Sequence, residues 1–292
     1  MAAAARRAFS FLLFRSKSKS LENFVADPWS MRRSLSFCSS GSKPISGGKT
    51  ARDSLEFVQW HNGGGLYHRT ALIEHSVRIG IGAIVHEEAI VGADVNIGSG
   101  SIVGPSVSVG QSTTIGYNAV LSNCSVGQSC VIHNGVCIGQ DGFGFFVDDD
   151  GNMMKKPQML YVKIGDHVEI GANTCIDRGS WRDTVVGDYT KIDNLVQIGH
   201  NVIIGKCCML CGQVGIAGSV TMGDYCTLGG RVAVKDHCAI SSKVRVAGNS
   251  FVTKDIPVPG DYGGCPAMPI HQWRREIASI RRLCNSSHQR SG

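Results

Sequence analysis

Two histidines are placed to do chemistry: His200 in Gln197-Ile-Gly-His-Asn-Val and His237 in Lys235-Asp-His-Cys. Imidazole changes charge nearest neutral pH, so it is the usual group for taking a proton from a nucleophile such as an amine. The two lie 37 residues apart, which is two turns plus one position of a coil of ~18 residues per turn. Such a coil puts both on one edge, with backbones ~10 Å apart at the stacking interval of parallel strands. A single histidine at a repeat corner is ordinary, and the chain has ten in all; two on one edge form a candidate site. Cys207, Cys208 and Cys211 imitate a metal knuckle, but no second pair or histidine stands at zinc-ligand spacing, so no metal site is expected.

The coil that must hold these residues is written in the sequence as a period of six. Aliphatic residues recur from Ile73 to Leu121, slip by one residue to Val126, resume at Ile132 and Ile138, then at Ile164, Ile170 and Ile176, and run unbroken from Val186 to Val252. All 27 such positions are apolar and glycine follows 15 of them. Six fits neither a helix nor an alternating strand. It fits a triangular prism in which each hexapeptide supplies a short strand and a corner. The fold expected is an all-β solenoid, a left-handed parallel β-helix of about eight turns with a short C-terminal helix. Glycine or asparagine is expected where a corner needs positive φ. Cys130, Cys208, Cys226 and Cys238 recur at one phase that calls for a small residue.

Two interruptions break the period: Gln140–Val162, which must leave the prism, and Asp177–Val185. The exposed cluster of Phe143, Phe145 and Phe146 points to a cleft or subunit contact beneath the first. From Pro257 the period stops in a proline-punctuated linker. A basic terminal helix follows, with Trp273, Ile277 and Ile280 on one face.

Charge is uneven. Residues 1–50 hold nine Lys/Arg against Glu22 and Asp27, and their Arg- and Ser-rich, acid-poor composition is that of an organelle transit peptide. The arginine pairs Arg6-Arg7 and Arg32-Arg33 favour a mitochondrion over a plastid. The remainder is nearly neutral, 20 basic against 21 acidic residues, which argues against binding nucleic acid through its phosphates. No apolar run reaches transmembrane length. The expected organisation is a tail over 1–50, a short segment over 51–66, the coil over 67–256, and the linker and helix over 257–292.

Three stretches in this order are specific: Asp141-Gly-Phe-Gly-Phe, Ile176-Asp-Arg-Gly, and Ile192-Asp-Asn-Leu-Val-Gln-Ile-Gly-His-Asn, followed by Gly215-Ile-Ala-Gly-Ser. The chain resembles the UDP-3-O-acylglucosamine N-acyltransferases of lipid A biosynthesis over roughly 66–283. The resemblance implies that His200 is the general base toward the glucosamine 2-amine and that the Gly218 N–H stabilises the oxyanion. It also implies that Asp193, on the same edge, orients His200. Asn194 and Gln197 would line the sugar site with Asp141 and Phe143, and His237 would contact the pantetheine arm. The acyl donor would be an acyl carrier protein bearing 4'-phosphopantetheine, the acceptor a UDP-sugar, and the assembly a homotrimer, with no cofactor of the enzyme's own. The sequence departs from the family in one respect: only about fifteen residues, Asp53–Tyr67, stand where family members carry a uracil-stacking domain. Alternatives of the same fold are an acetyl-CoA-dependent acetyltransferase, a gamma-type carbonic anhydrase and a non-catalytic trimer.

Overall fold

The computed structural model describes residues 56–288. The transit-peptide reading of residues 1–50 lies outside them. The chain winds into a parallel β-solenoid whose three faces are sheets of 11, 11 and 9 strands. The sequence expectation of about eight turns is therefore low. The coil starts earlier and ends later than the aliphatic period suggests. Leu66–His68 already pairs in parallel with Ile84–Val85, and a hairpin with Phe57–Gln59 closes this end. At the other end Gly260–Gly263 pairs in parallel with Val244–Val246, so the proline-rich stretch adds a strand where a linker was expected. Helix α1 (Ile270–His288) follows.

Each turn visits the faces in order. The first face includes Cys137–Gln140, Cys175–Asp177, Gln197–Ile198 and Gly215–Ile216; the second includes Val162–Ile164, Thr184–Val186 and Ile203–Ile204; the third includes Glu169–Ile170 and Lys191–Ile192. The register is regular: Ile176 pairs with Ile198 and Ile198 with Ile216. The periodic aliphatic residues are therefore stacked in an interior where Ile138, Ile176, Ile198 and Ile216 are all buried. Two positions before each aliphatic is a second inward site for a small residue. Thr113, Thr174 and Thr190 there donate to a carbonyl of the next turn. Cys130, Cys208 and Cys226 do the same through their thiols.

The corners hold the expected glycines and asparagines, among them Gly82, Gly100, Asn118 and Asn173, and other residues besides. Positive φ falls three residues after the aliphatic, and nineteen non-glycine residues among the described ones adopt it there, including Leu195, Tyr225 and Arg231. The glycine directly after the aliphatic answers a different need, close approach of the next turn. A Cβ on Gly187 would lie 2.6 Å from the carbonyl carbon of Gly205, and one on Gly110 would lie 2.5 Å from that of Gly127. Glycine is there because stacked corners touch through backbone.

Candidate functional site

Both sequence interruptions depart from one edge, between the first and second faces. The excursion after Gln140 forms a hairpin of Phe145–Val147 against Met153–Lys155 and rejoins the coil at Val162. The second leaves after Asp177 and rejoins at Thr184 on the next turn. They are tied together: Arg178 Nε donates to the Leu160 carbonyl at 2.7 Å, and the Leu160 N–H donates to the Gly179 carbonyl at 2.9 Å. Arg182 then pins the second loop to two corners, donating from Nε to the Asn201 carbonyl at 2.7 Å and from Nη2 to the Ser219 carbonyl at 3.1 Å.

Beneath these loops is a cleft of about 580 Å³. His200, Gly218 and His237 come from successive turns at its floor, with the Ser219 N–H donating to the His200 carbonyl and the His237 N–H to that of Gly218. Phe143 and Trp181 stand at its walls, 87% and 62% exposed. Lys156 and Gln158 come from the segment that follows the hairpin's return strand. Gln158 is only 4% exposed, and its Oε1 has no hydrogen-bond donor among the described residues.

The imidazole of His200 is held between two glycines. A Cβ on Gly142 would lie 2.8 Å from His200 Cβ and 2.9 Å from Cδ2, and one on Gly218 would lie 2.7 Å from both Cε1 and Nε2. Ring position is thus set by absence of side chains on either side. Its Nδ1 lies 2.7 Å from Asn201 Nδ2. The Gly218 N–H donates to no acceptor among the described residues and is available to a ligand.

Among comparisons with known proteins, the family model for bacterial transferase hexapeptide repeats (six repeats) matches residues 183–218. The chain is 62% identical to a protein of Arabidopsis thaliana named probable UDP-3-O-acylglucosamine N-acyltransferase 2, mitochondrial. That match spans 266 residues, 91% of this chain and 86% of the relative. The chain belongs to the UDP-3-O-acylglucosamine N-acyltransferases. A UDP-3-O-acylglucosamine N-acyltransferase of Methylobacterium sp. (strain 4-46) is 47% identical over 165 residues, covering 56% of this chain and 47% of the relative. The match to the bacterial enzyme therefore spans about half of that protein's length. Among solved structures, LpxA from Acinetobacter baumannii superposes with a TM-score of 0.56 at 26% identity, over 72% of this chain and 77% of the other.

Within this acyltransferase the sequence-derived residues separate. His200, Gly218, His237 and Phe143 line the cleft. Gln197 reaches it indirectly, on the outer surface of the first face, where it hydrogen-bonds Asp177. Asp193 does not share an edge with His200. It follows Ile192 on the third face, whereas His200 follows Ile198 on the first. Seven residues carry the chain past one strand to the next corner, and a return to the same edge takes a full turn. Asp193 Oδ1 accepts from the backbone N–H and Nδ2 of Asn194, and Asn194 Oδ1 accepts from the Ala172 N–H at 2.7 Å. Within this chain both serve a corner. Asp141 is exposed and ion-paired with Lys155 on the hairpin.

The carboxylate beside the imidazole is instead Asp177, 9% exposed. Burial pushes its pKa above the ordinary carboxylate value, while hydrogen bonds from Gln140 and Gln197 and the nearby His200 favour the charged form. Gln140 Nε2 donates to Asp177 Oδ1 at 2.8 Å. Asp177, Asn201, Arg182 and Gln158 were missed as site residues. The available signal was the coincidence of both interruptions with the edge of His200, one full turn or more away.

Proposed function

We propose that the cleft transfers an acyl chain from the phosphopantetheine thioester of an acyl carrier protein to the 2-amine of UDP-3-O-acylglucosamine, in lipid A-type synthesis. The observation that supports this most directly is the convergence of His200 and the unpartnered Gly218 N–H at the cleft floor. The amine nitrogen attacks the thioester carbonyl, charge develops on its oxygen, and N–H donors placed there stabilise it. Collapse breaks the C–S bond and leaves an amide and a thiol. His237 lies one turn beyond Gly218, in the direction of the donor arm, and Gln158 Oε1 offers an acceptor to a ligand N–H or O–H. Phe143 and Trp181 give the acyl chain or sugar an apolar wall.

The outer row of the first face begins with Leu66, Ile84, Ile102 and Val120, a stripe without charge. It adjoins the edge that bears the cleft and suits threefold packing of copies, with the donor bound between them. The mitochondrial name of the Arabidopsis relative agrees with the composition of residues 1–50, and we assign the protein to that organelle. Purified full-length protein should convert UDP-3-O-acylglucosamine to its N-acyl product with acyl carrier protein as donor, read by mass spectrometry. Turnover with acetyl-CoA and none with the acylated carrier would reassign it as an acetyltransferase.

A further inference from the structure

All cysteines among the described residues are free, and two pairs of them meet on neighbouring turns. Cys208 and Cys226 stack inside the prism, where both are buried. Their thiols donate to the carbonyls of Gly223 and Ser241, each at 3.2 Å. Those two are packing groups sealed from solvent. Cys137 and Cys175 differ. Each stands one residue before an interior isoleucine, Ile138 and Ile176, so each faces outward from the first face. Both are partly exposed. They are direct partners in the parallel ladder between Cys137–Gln140 and Cys175–Asp177, and their thiols are in hydrogen-bonding contact with each other. The carbonyl of Gly135 lies 3.9 Å from Cys137 Sγ and is at most a weak tie.

We propose that Cys137 and Cys175 are a redox-modifiable dithiol, closed to a disulfide by exchange with a small disulfide such as oxidised glutathione. Stacked parallel strands lie ~4.8 Å apart, inside the roughly 4.4–6.8 Å at which the Cα atoms of disulfides are found. Side chains at matched positions of such strands point the same way, so the bridge needs only a small approach of the two strands. The exchange balances. The Cys137 thiolate attacks one sulfur of the small disulfide and expels a first thiolate. The Cys175 thiolate then attacks Cys137 Sγ and expels the second. Two cysteines are oxidised, one disulfide is reduced to two thiols, and the protons lost by the cysteines pass to the leaving thiolates.

The place of the pair gives the bridge its effect. Both loops over the cleft leave from these two strands, after Gln140 and after Asp177, whose side chains are hydrogen-bonded at 2.8 Å. A bridge at Cys137 and Cys175 ties the two turns together at the root of both loops. It spans 38 residues, whereas Cys175 and its next partner Gln197 are 22 apart, and Gln197 and Gly215 are 18 apart. A crosslink stabilises more the longer the loop it closes, so this is the turn that gains most from one. The pair also fills the next two places of the outer row that begins with Leu66. Copies packed on that row would cover the thiols, so the exchange belongs to the subunit before assembly.

The test refolds the reduced full chain in a mixture of oxidised and reduced glutathione, beside a sample kept in dithiothreitol. Free thiols are then blocked with iodoacetamide and the cysteines mapped by mass spectrometry. A peptide joining Cys137 to Cys175 is expected. The oxidised sample should melt about 5–10 °C above the reduced one, and dithiothreitol should reverse the shift. Cys137→Ser and Cys175→Ser should each lose both the linked peptide and the shift. Should a serine variant misfold, Cys137→Val keeps the outward place apolar and gives the same reading. Native protein equilibrated with the same mixture is a second sample, for the case in which the chain does not refold. Iodoacetamide on both thiols after oxidation overturns the proposal, as does a bridge from either cysteine to another partner. An equal rise in melting temperature in Cys137→Ser, or a bridge that leaves the melting temperature unchanged, overturns the stabilising role.

Discussion

The edge between the first and second faces and the edge between the third and first are built from the same hexapeptide, yet they differ in what their polar residues do. At the third-to-first edge Asn194 accepts from the Ala172 N–H of the preceding turn, and the ladder of stacked corners is closed on itself. At the first-to-second edge Asn201 faces the inserted loop, bonding Ser180 and Trp181, and turns its –NH2 toward His200. Even the one-residue slip between Leu121 and Val126 falls here, between strands of these two faces. Irregularity is thus confined to one edge of three. Two edges preserve the stack, which leaves the third able to carry loops and a cleft.

The largest expected effect breaks this comparison at its centre. His200→Ala should reduce turnover ~10²–10³-fold with an unchanged thermal midpoint, since the ring contributes nothing to the aliphatic interior. Asn194→Ala should leave turnover unaltered and lower stability by about 1 kcal/mol, one corner hydrogen bond. A turnover loss in the second variant as large as in the first would erase the distinction between the edges.

Glycine substitutions sharpen it. Gly142→Ala pushes a methyl against the His200 ring and should reduce turnover by about tenfold or more, as a displaced catalytic group does, while melting almost normally. Gly187→Ala meets backbone of the next turn, which cannot rotate away, and should destabilise by about 1–3 kcal/mol as overpacking does. Urea unfolding and steady-state rates on both variants would check the pair.

The smallest effect concerns Asp177. Burial holds its folded-state pKa above the ordinary 3.8, so the folded form binds the proton more tightly than the unfolded chain. Stability is lost as pH rises from that value through the raised one, and the whole penalty is present at neutral pH. Asp177→Asn keeps an acceptor for Gln140 and should melt above wild type at pH 7, the gap closing below about pH 4. A gap that does not change with pH would show that the carboxylate is not the cause.

The fold was largely legible because one rule repeats. An aliphatic every sixth residue specifies an inward side chain, and 27 repetitions leave little else to fit. His200 and His237 were placed together by the same arithmetic of turns, and Gly218 joined them through the resemblance alone. Asp193 was misplaced where that arithmetic was not applied, since seven residues reach the next edge. Asp177 and Asn201 were missed for another reason. Their partners come from insertions whose path the period does not describe, and a hydrogen bond between Asn201 and Ser180 spans 21 residues with no repeating rule to announce it.

The stacked interior also bears on how the chain folds. In the uninterrupted run from Val186 to Val252, each turn contacts its neighbours at one turn's separation. Ile138 meets Ile176 only after 38 residues, because the hairpin intervenes. Doubling a loop adds about 0.6 kcal/mol of closure entropy. Solenoids nucleate where neighbouring repeats are cheapest to join and grow outward from there. The two uninterrupted runs, Ile73–Leu121 and Val186–Val252, should therefore zip first, with the turns that carry the cleft loops completed late. Amide protons of both uninterrupted runs would then gain exchange protection before those of Val162–Ile176.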